Sequence, residues 1–215
     1  MRKRKYIYVI LTQTLTMPGK IIRKFTGGQY SHASISLDKD LNEMYSFARF
    51  KYHTPLVAGF TKESITSLSL GHEEGINVKI FKIPVTDQQY SKLERVINDF
   101  KNNSGKYMYN LFGLLFFKTP LEFNIRDTYI CTEFVSKCLA SLGIKKKKLN
   151  KNRITPEAMI DALKEYEYFD GDLAEYEKRL KHNCYSPEFL EKENFILVLL
   201  KSIKQIVCLI YRKII

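Results

Sequence analysis

The chain has 215 residues, of which 45% are hydrophobic and 13% aromatic, so it can form one sizeable core and does not have the composition of a disordered protein. Its formal net charge of +12 favours acidic surfaces such as anionic lipid, cell-wall polymer or nucleic acid. No zinc-finger spacing or aromatic RNA-binding motif accompanies the charge, so we expect no nucleic-acid partner. The four cysteines form no disulfide framework, which fits a reducing compartment.

The first predicted element is a buried strand. A basic flank precedes a short apolar run at residues 6–11, but this run is too short for a signal peptide and no small-residue cleavage site follows it. We therefore expect a cytoplasmic protein, with a peripheral position at the inner face of the membrane as the alternative. A helix is predicted over residues 17–25, and Gly27 and Gly28 end it.

The next predicted strand, residues 31–37, alternates between apolar and polar side chains. Ala33 and Ile35 face one side, whereas His32 faces the other with two serines, so His32 need not be a core histidine. A turn at residues 38–40 leads to a returning strand at residues 42–50. If the turn is a three-residue loop, Ser46 lies opposite His32, and a register shifted by two residues would place Met44 or Ala48 there instead.

The middle of the chain is predicted to be mainly structural. Residues 51–74 resemble a loop in which His53 and His72 are solvated, and a strand at residues 76–83 ends at Pro84. Thr86 and Gln89 form a capping box for a helix that extends to about Phe100. The aromatic residues 106–117 predict either a buried helix or the apolar wall of a substrate cleft, with the core as the favoured interpretation.

Residues 127–143 predict an amphipathic helix that carries two cysteines. With Thr128 as the N-cap, Cys131 is the third helical residue and begins an apolar stripe that includes Cys138. A thiol in the first turn of a helix lies near unpaired N–H groups and the positive end of the helix dipole, which favour the thiolate. The alternative is a core cysteine, because free cysteines are among the most buried residues.

Three further segments are predicted before the tail of the chain. The lysines at 145–148 predict a solvated loop, Thr155 and Pro156 predict the start of a helix, and residues 166–169 predict a last strand. His182 and Cys184 lack two further ligands at suitable spacing, so we expect no metal and no cofactor.

The tail at residues 195–215 is apolar at 15 of its 21 positions but contains four cations, which argues against a membrane-spanning helix. Six of its apolar side chains share one helical face: Leu199, Ile203, Ile206, Val207, Ile210 and Ile214. This face is expected to pack on the domain or on another chain, or to contact an anionic membrane surface.

A histidine on the open face of a strand and a cysteine at a helix start are the two groups that thiol hydrolysis needs. The thiolate is the nucleophile, and the imidazole takes its proton and later protonates the leaving group. We therefore predict Cys131 as the nucleophile and His32 as the general base and acid. Ser46 or Glu43 on the neighbouring strand, or a backbone carbonyl, would orient the imidazole. Cys138 is expected to be structural.

Three segments of the chain, YSHASISLD, MYSFARF and YICTEFVSKCLASLGI, resemble the circularly permuted branch of the NlpC-type papain-like superfamily, the YiiX-like proteins. That branch has a histidine after a serine at a strand start and, about a hundred residues later, an aromatic residue followed by Cys, Ser or Thr, Glu and a helix. His32 and the segment from Tyr129 to Glu133 fill these positions. The histidine precedes the cysteine, as in the permuted branch, and the resemblance covers about residues 6–163.

The resemblance implies a papain-like α+β fold, in which an antiparallel sheet or half-barrel packs against the helix that carries the cysteine. It also implies amide or ester hydrolysis, or acyl transfer, through a thioacyl intermediate, with an oxyanion site that includes the N–H of Cys131. The family often has His, Asn, Gln or Glu as its third polar residue, so serine at position 46 is an unusual occupant.

We therefore predict two parts of the chain: a thiol hydrolase domain at residues 1–170 and a basic, amphipathic extension at residues 171–215. The predicted substrate is an acylated small molecule or a peptide, such as one derived from the cell wall. Two alternatives stay open: a lipid-directed acyltransferase of the same fold, and a non-catalytic protein with a degenerate site that binds anionic membranes.

Overall fold

The computed structural model describes residues 4–72, 75–115, 125–144, 154–180 and 186–214. These residues form an α+β fold in which eight strands make one sheet, so the predicted α+β class is confirmed. The predicted lysine loop at 145–148, the pair of His182 and Cys184, and the end of the aromatic stretch at 116–117 lie outside the described residues.

The sheet is antiparallel apart from one short parallel pair. Its strands are β1 (Lys5–Thr12), β2 (His32–Ser36), β3 (Met44–Arg49), β4 (Ala58–Glu63), β5 (Asn77–Val85), β6 (Met108–Tyr109), β7 (Thr128–Tyr129) and β8 (Glu167–Asp172). They lie in the order β7-β6-β4-β3-β2-β1-β5-β8, and β6 and β7 are the parallel pair.

Eight α-helices surround this sheet in the described part of the chain. They are α1 (Met17–Thr26), α2 (Ile65–Ser69), α3 (Asp87–Asn102), α4 (Leu111–Leu115), α5 (Cys131–Ser141), α6 (Pro156–Leu163), α7 (Leu173–Glu177) and α8 (Phe195–Ile214). The predicted helix starts at Thr86 and Thr155 are confirmed, because both hydroxyls accept a hydrogen bond from a first-turn N–H group. Gly27 ends α1 in the left-handed conformation, with φ of 71°.

A hydrophobic core covers each face of the sheet, because the strand side chains alternate. Ile7 and Val9 face the first core, where α3 and α5 cover the sheet, and α5 packs directly against β2 and β3. Tyr8 and Ile10 face the second core, which includes side chains of α2 and α7. The helix that carries Cys131 is therefore held against the two strands that follow α1.

The structure corrects two sequence predictions in the middle of the chain. Residues 51–74 are not only a loop, because they contain β4 and α2; of β4 only Phe60 is a large apolar residue, so its sequence shows no clear alternation. Pro84 does not end β5 but pairs with Tyr6 of β1. Proline is tolerated there because β8 pairs only with residues 77–81, so the outer edge of β5 is open at Pro84.

The chain around the predicted boundary at residue 170 is continuous in structure. Strand β8 crosses this position, and Leu173 and Tyr176 of α7 belong to the second core. The division into residues 1–170 and 171–215 stays a prediction.

Candidate active site

Cys131 is the first residue of α5, rather than the third as the sequence predicted. Ile130 is the N-cap, and its N–H donates to Glu133 Oε2 at 2.9 Å. Thr128 does not cap the helix, because it pairs with β6 and its hydroxyl donates to the carbonyl of Ile125 at 2.8 Å. Since isoleucine has no side-chain acceptor, no side chain at the N-cap occupies the N–H groups of the first turn.

The rest of α5 follows the predicted apolar stripe. Phe134, Val135, Cys138 and Leu139 are fully buried in the first core. Cys131 is 6% exposed and stands at the end of the stripe, where it lines a cavity. One helix therefore carries a core thiol and a thiol at a cavity wall.

His32 begins β2, and the predicted alternation of this strand is confirmed. Ala33 and Ile35 enter the first core, whereas Ser34 forms hydrogen bonds in the same polar cluster as His32. The predicted strand register is wrong by two residues, because Ser36 pairs with Met44 and Ile35 with Tyr45. Extended along the strands, this register places Ser34 opposite Ser46, so His32 lies opposite Ala48.

Glu63, the last residue of β4, binds the imidazole of His32. The two carboxylate oxygens lie 3.0 and 3.1 Å from His32 Nε2. Ser34 Oγ donates to Glu63 Oε2 at 2.5 Å and lies 3.3 Å from the same imidazole nitrogen. The side chains of Glu63 and His32 are only 4% and 12% exposed, so this is a buried, hydrogen-bonded pair.

Electrostatic interactions favour the charged forms of both partners. Burial acts to lower the pKa of His32, but the Glu63 carboxylate and the Cys131 sulfur overcome it and raise this pKa well above 6.5. Burial acts to raise the pKa of Glu63, but His32 and the hydroxyls of Ser34 and Ser46 overcome it and lower this pKa. An imidazolium facing a carboxylate is therefore the favoured state around neutral pH.

Cys131 lies near His32. Both residues line the same cavity, and the Cys131 sulfur contributes to the raised pKa of His32. The two residues are 99 positions apart in sequence, and they meet because α5 packs on β2. The structure thus brings together two of the three predicted site residues.

Ser46 does not contact the imidazole. It is fully buried on β3, and within the described residues its Oγ makes no hydrogen bond of normal geometry, although it lies near enough to Glu63 to affect that carboxylate. Glu43, the predicted alternative, forms ion pairs with Lys62 at 2.7 Å and with Lys101 at 3.6 Å. The position predicted for Ser46 or Glu43 is occupied by Glu63.

Glu63 lies within residues 51–74, where the sequence predicts a loop, so it is not among the predicted site residues. Two signals could have found it. Ser64 and Ser67 form a capping box for α2, which places Glu63 directly before a helix start. An acidic residue at the end of a strand in the same sheet as a catalytic histidine is also a candidate partner for it.

A cavity of about 490 Å³ lies beside these groups, and its wall includes Cys131, His32 and Glu63. This volume is within the range of small-molecule sites. Much of the remaining wall is apolar, with side chains from several elements: Ile21, Ile22, Leu56, Leu111 and Ile154. Arg49 and Tyr109 supply polar groups, and burial followed by the charges of Cys131 and Glu133 raises the pKa of Tyr109.

The aromatic stretch that begins at Lys106 contributes to both predicted environments. Tyr109 and Leu111 line the cavity, whereas Tyr107 packs against the first core. Part of the stretch therefore lines a cavity, and its role as the wall of a substrate cleft stays a prediction.

The other histidines and cysteines of the described chain have different environments. His53 and His72 are exposed, as predicted. Cys138 is fully buried, and burial raises the pKa of its thiol. Among the described residues, no group of three or more His, Cys, Asp or Glu side chains could hold a metal ion.

No protein-family model, no curated protein and no solved structure matches this chain. The resemblance to the permuted NlpC-type branch therefore rests on the motifs around His32 and Cys131.

Proposed function

We propose that this chain is a cysteine hydrolase that cleaves an amide or ester bond through a thioacyl-enzyme intermediate. The observation that carries the proposal is the alignment of Glu63, His32 and Cys131 at the wall of one cavity. A nucleophile, a base and a group that orients the base are the parts that thiol hydrolysis requires. The fold we propose is the permuted papain-like one, supported by the packing of α5 on the antiparallel strands β2 and β3.

In the proposed first step, Glu63 holds Nε2 of His32, so Nδ1 exchanges a proton with Cys131. The thiolate attacks the substrate carbonyl carbon, and a C–S bond forms as the carbonyl oxygen becomes negative. The N–H of Cys131, at the uncapped start of α5, and the neutral hydroxyl of Tyr109 are the donors proposed for this oxyanion.

The intermediate then collapses. His32 gives its proton to the leaving nitrogen or oxygen, the bond to that atom breaks, and a thioester on Cys131 remains. A water molecule gives a proton to His32 and its hydroxide attacks the thioester carbonyl. The carboxylic acid leaves, and Cys131 recovers its thiolate while His32 keeps the proton.

The proposed substrate carries an apolar acyl group, since aliphatic side chains form much of the cavity wall. An acylated small molecule fits this wall better than a highly charged peptide. The same observation favours a second function, lipid-directed acyl transfer, in which an alcohol or amine replaces water in the second step. The non-catalytic alternative loses its main support, because a buried carboxylate binds His32 where the sequence suggested a serine.

The test is to trap the thioester. Wild-type protein is mixed with 4-nitrophenyl esters of short and medium acyl chains, quenched in acid and digested, and the peptides are weighed by mass spectrometry. The acyl mass should appear on the peptide that contains Cys131, with a burst of nitrophenol equal to the enzyme concentration. Cys131→Ser removes the reactive thiolate, and Cys208→Ala is the matched control that should keep the burst.

Acylation that is absent from Cys131 with every ester, or equal on Cys131 and Cys208, would contradict the proposal. Adding a primary alcohol separates the two functions. Hydrolysis predicts that free acid stays the main product, whereas acyl transfer predicts that the new ester replaces it.

A further inference from the structure

Helix α8 is amphipathic, but it is oriented opposite to the usual surface helix. A surface helix normally buries its apolar stripe and exposes its polar one. In α8 the buried residues include Ser202 and Gln205, while seven large apolar side chains are 46–78% exposed along the outer face: Ile196, Leu200, Ile203, Val207, Ile210, Tyr211 and Ile214. This row spans the whole helix and is unusual for a surface in contact with water only.

The polar face of α8 is fixed to the sheet by specific hydrogen bonds. The side-chain amide of Gln205 accepts from the N–H of Ala58 at 3.1 Å and donates to the carbonyl of Ala58 at 2.8 Å. Leu209 is fully buried beside it, and Arg212 donates to the carbonyl of Lys106 at 2.7 Å. These contacts hold α8 by one face, so its apolar face points away from the domain.

The charges on α8 are all positive. Residues 195–214 contain Lys201, Lys204, Arg212 and Lys213 and no Asp or Glu. At 3.6 residues per turn, Lys204 and Lys213 lie on opposite borders of the outer apolar face, where lysine side chains can reach lipid headgroups. Within the described residues, no helix combines the length and apolar character needed to cross a bilayer.

From this arrangement we infer that α8 lies in the plane of an anionic membrane, with its outer apolar face in the lipid. Apolar area and lysines at its borders are the two features by which interfacial helices bind such membranes. A second copy of the chain fits the face less well. Pairing two α8 helices would bring cations close to cations, with no acidic residue on either helix to offset them.

The experiment is co-sedimentation of the full chain with vesicles of phosphatidylcholine alone or mixed with phosphatidylglycerol. We expect binding to the mixed vesicles that weakens as salt rises, and much less binding to phosphatidylcholine alone. Val207→Glu should weaken binding by about tenfold or more, because an exposed apolar side chain is replaced by a charge of the wrong sign. Lys204→Gln should weaken binding by about fivefold.

Tyr168→Glu is the matched control. It makes the same change of charge at another exposed apolar side chain, on β8, and should bind as the wild type does. Circular dichroism and thermal melting check that each variant is folded. The inference is overturned if the wild type stays in the supernatant with mixed vesicles, or if Val207→Glu and Tyr168→Glu bind equally. It is also overturned if analytical ultracentrifugation shows a dimer that Val207→Glu dissociates.

Discussion

Cys131 and Cys138 lie two turns apart on one helix and have contrasting surroundings. Cys138 is enclosed by the apolar first core, and burial raises the pKa of its thiol. Cys131 stands at the helix start, beside a cavity and a histidine that a buried carboxylate binds. Both are nearly inaccessible, at 6% and 0% exposure, so exposure does not distinguish them.

From this comparison we expect the reactivity of each thiol to depend on the groups that face it rather than on its exposure. A thiolate needs a positive partner or hydrogen-bond donors, and an apolar core supplies neither. The sheet supplies both at one end of α5 only, because His32 begins β2 and Glu63 ends β4 at the cavity. The same residue type thus faces a buried histidine and carboxylate at one position and an apolar core at the other.

The largest expected effects come from removing each of the two thiols in turn. Cys131→Ser should reduce turnover of the 4-nitrophenyl ester by about a thousandfold or more while leaving the melting temperature nearly unchanged. Cys138→Ala should keep turnover within about threefold but lower the free energy of unfolding by about 1–2 kcal/mol, because it leaves a small cavity in the core. Ester assays measure turnover and urea unfolding measures stability. Equal losses of turnover in the two variants would contradict the contrast between Cys131 and Cys138.

Glu63→Gln should change the pH dependence of turnover. Glu63 is the main group that raises the pKa of His32. The proposed mechanism requires the imidazolium, so we expect turnover to fall as pH rises through that pKa. Removing the charge should therefore move the alkaline limb of kcat/KM to lower pH by about one to three units. Asp99→Asn, an exposed carboxylate elsewhere, is the control and should leave the limb in place.

The same variant should change stability in a defined pH window. The raised pKa of His32 adds stability that is complete below pH 6.5 and disappears as pH rises through the folded pKa. The lowered pKa of Glu63 adds stability that is present above pH 4.5 and disappears as pH falls through its folded pKa. Between about pH 4.5 and pH 6.5, the free energy of unfolding of the wild type should therefore exceed that of Glu63→Gln by about 3 kcal/mol. The difference should be smaller at higher or lower pH. Urea unfolding at a series of pH values measures this difference, and a constant difference would count against a buried ion pair.

The smallest expected effects distinguish two serines beside the pair. Ser34 donates to Glu63, so Ser34→Ala should destabilise the chain by about 1.5–3 kcal/mol and reduce turnover. Ser46→Ala should change the free energy of unfolding by less than about 1 kcal/mol, because its hydroxyl makes no hydrogen bond of normal geometry to any residue that the structure describes. If Ser46→Ala had the larger effect on turnover, Ser46 rather than Ser34 would be the serine that supports the position of the imidazole.

The sequence predicted the parts of the site that local patterns determine. Alternation in residues 31–37 placed His32 apart from Ala33 and Ile35, and helical spacing placed Cys131 at the start of the stripe that buries Cys138. Capping residues located the starts of α3 and α6 in the same way.

The third residue was harder to predict than the other two, because its position depends on how the strands pair. A register shift of two residues moved Ser46 away from His32, and the strand that supplies Glu63 has little alternation of its own. The outward orientation of α8 was equally hidden, since an apolar helical face fits a core as well as a membrane. The buried face is identified by contacts that the sequence does not show, namely those of Gln205 with Ala58 and of Arg212 with Lys106.

The alkylation rate of Cys131 tests most directly whether His32 and Glu63 make it a nucleophile. Limiting iodoacetamide is added at pH 6, and peptides with Cys131 and Cys208 are quantified from the same digest, so that Cys208 is an internal reference. We expect Cys131 to react about a hundredfold faster than Cys208 despite its lower exposure, and this ratio to fall to about one or below in His32→Gln. Equal rates in the wild type, or a ratio that His32→Gln leaves unchanged, would contradict the account.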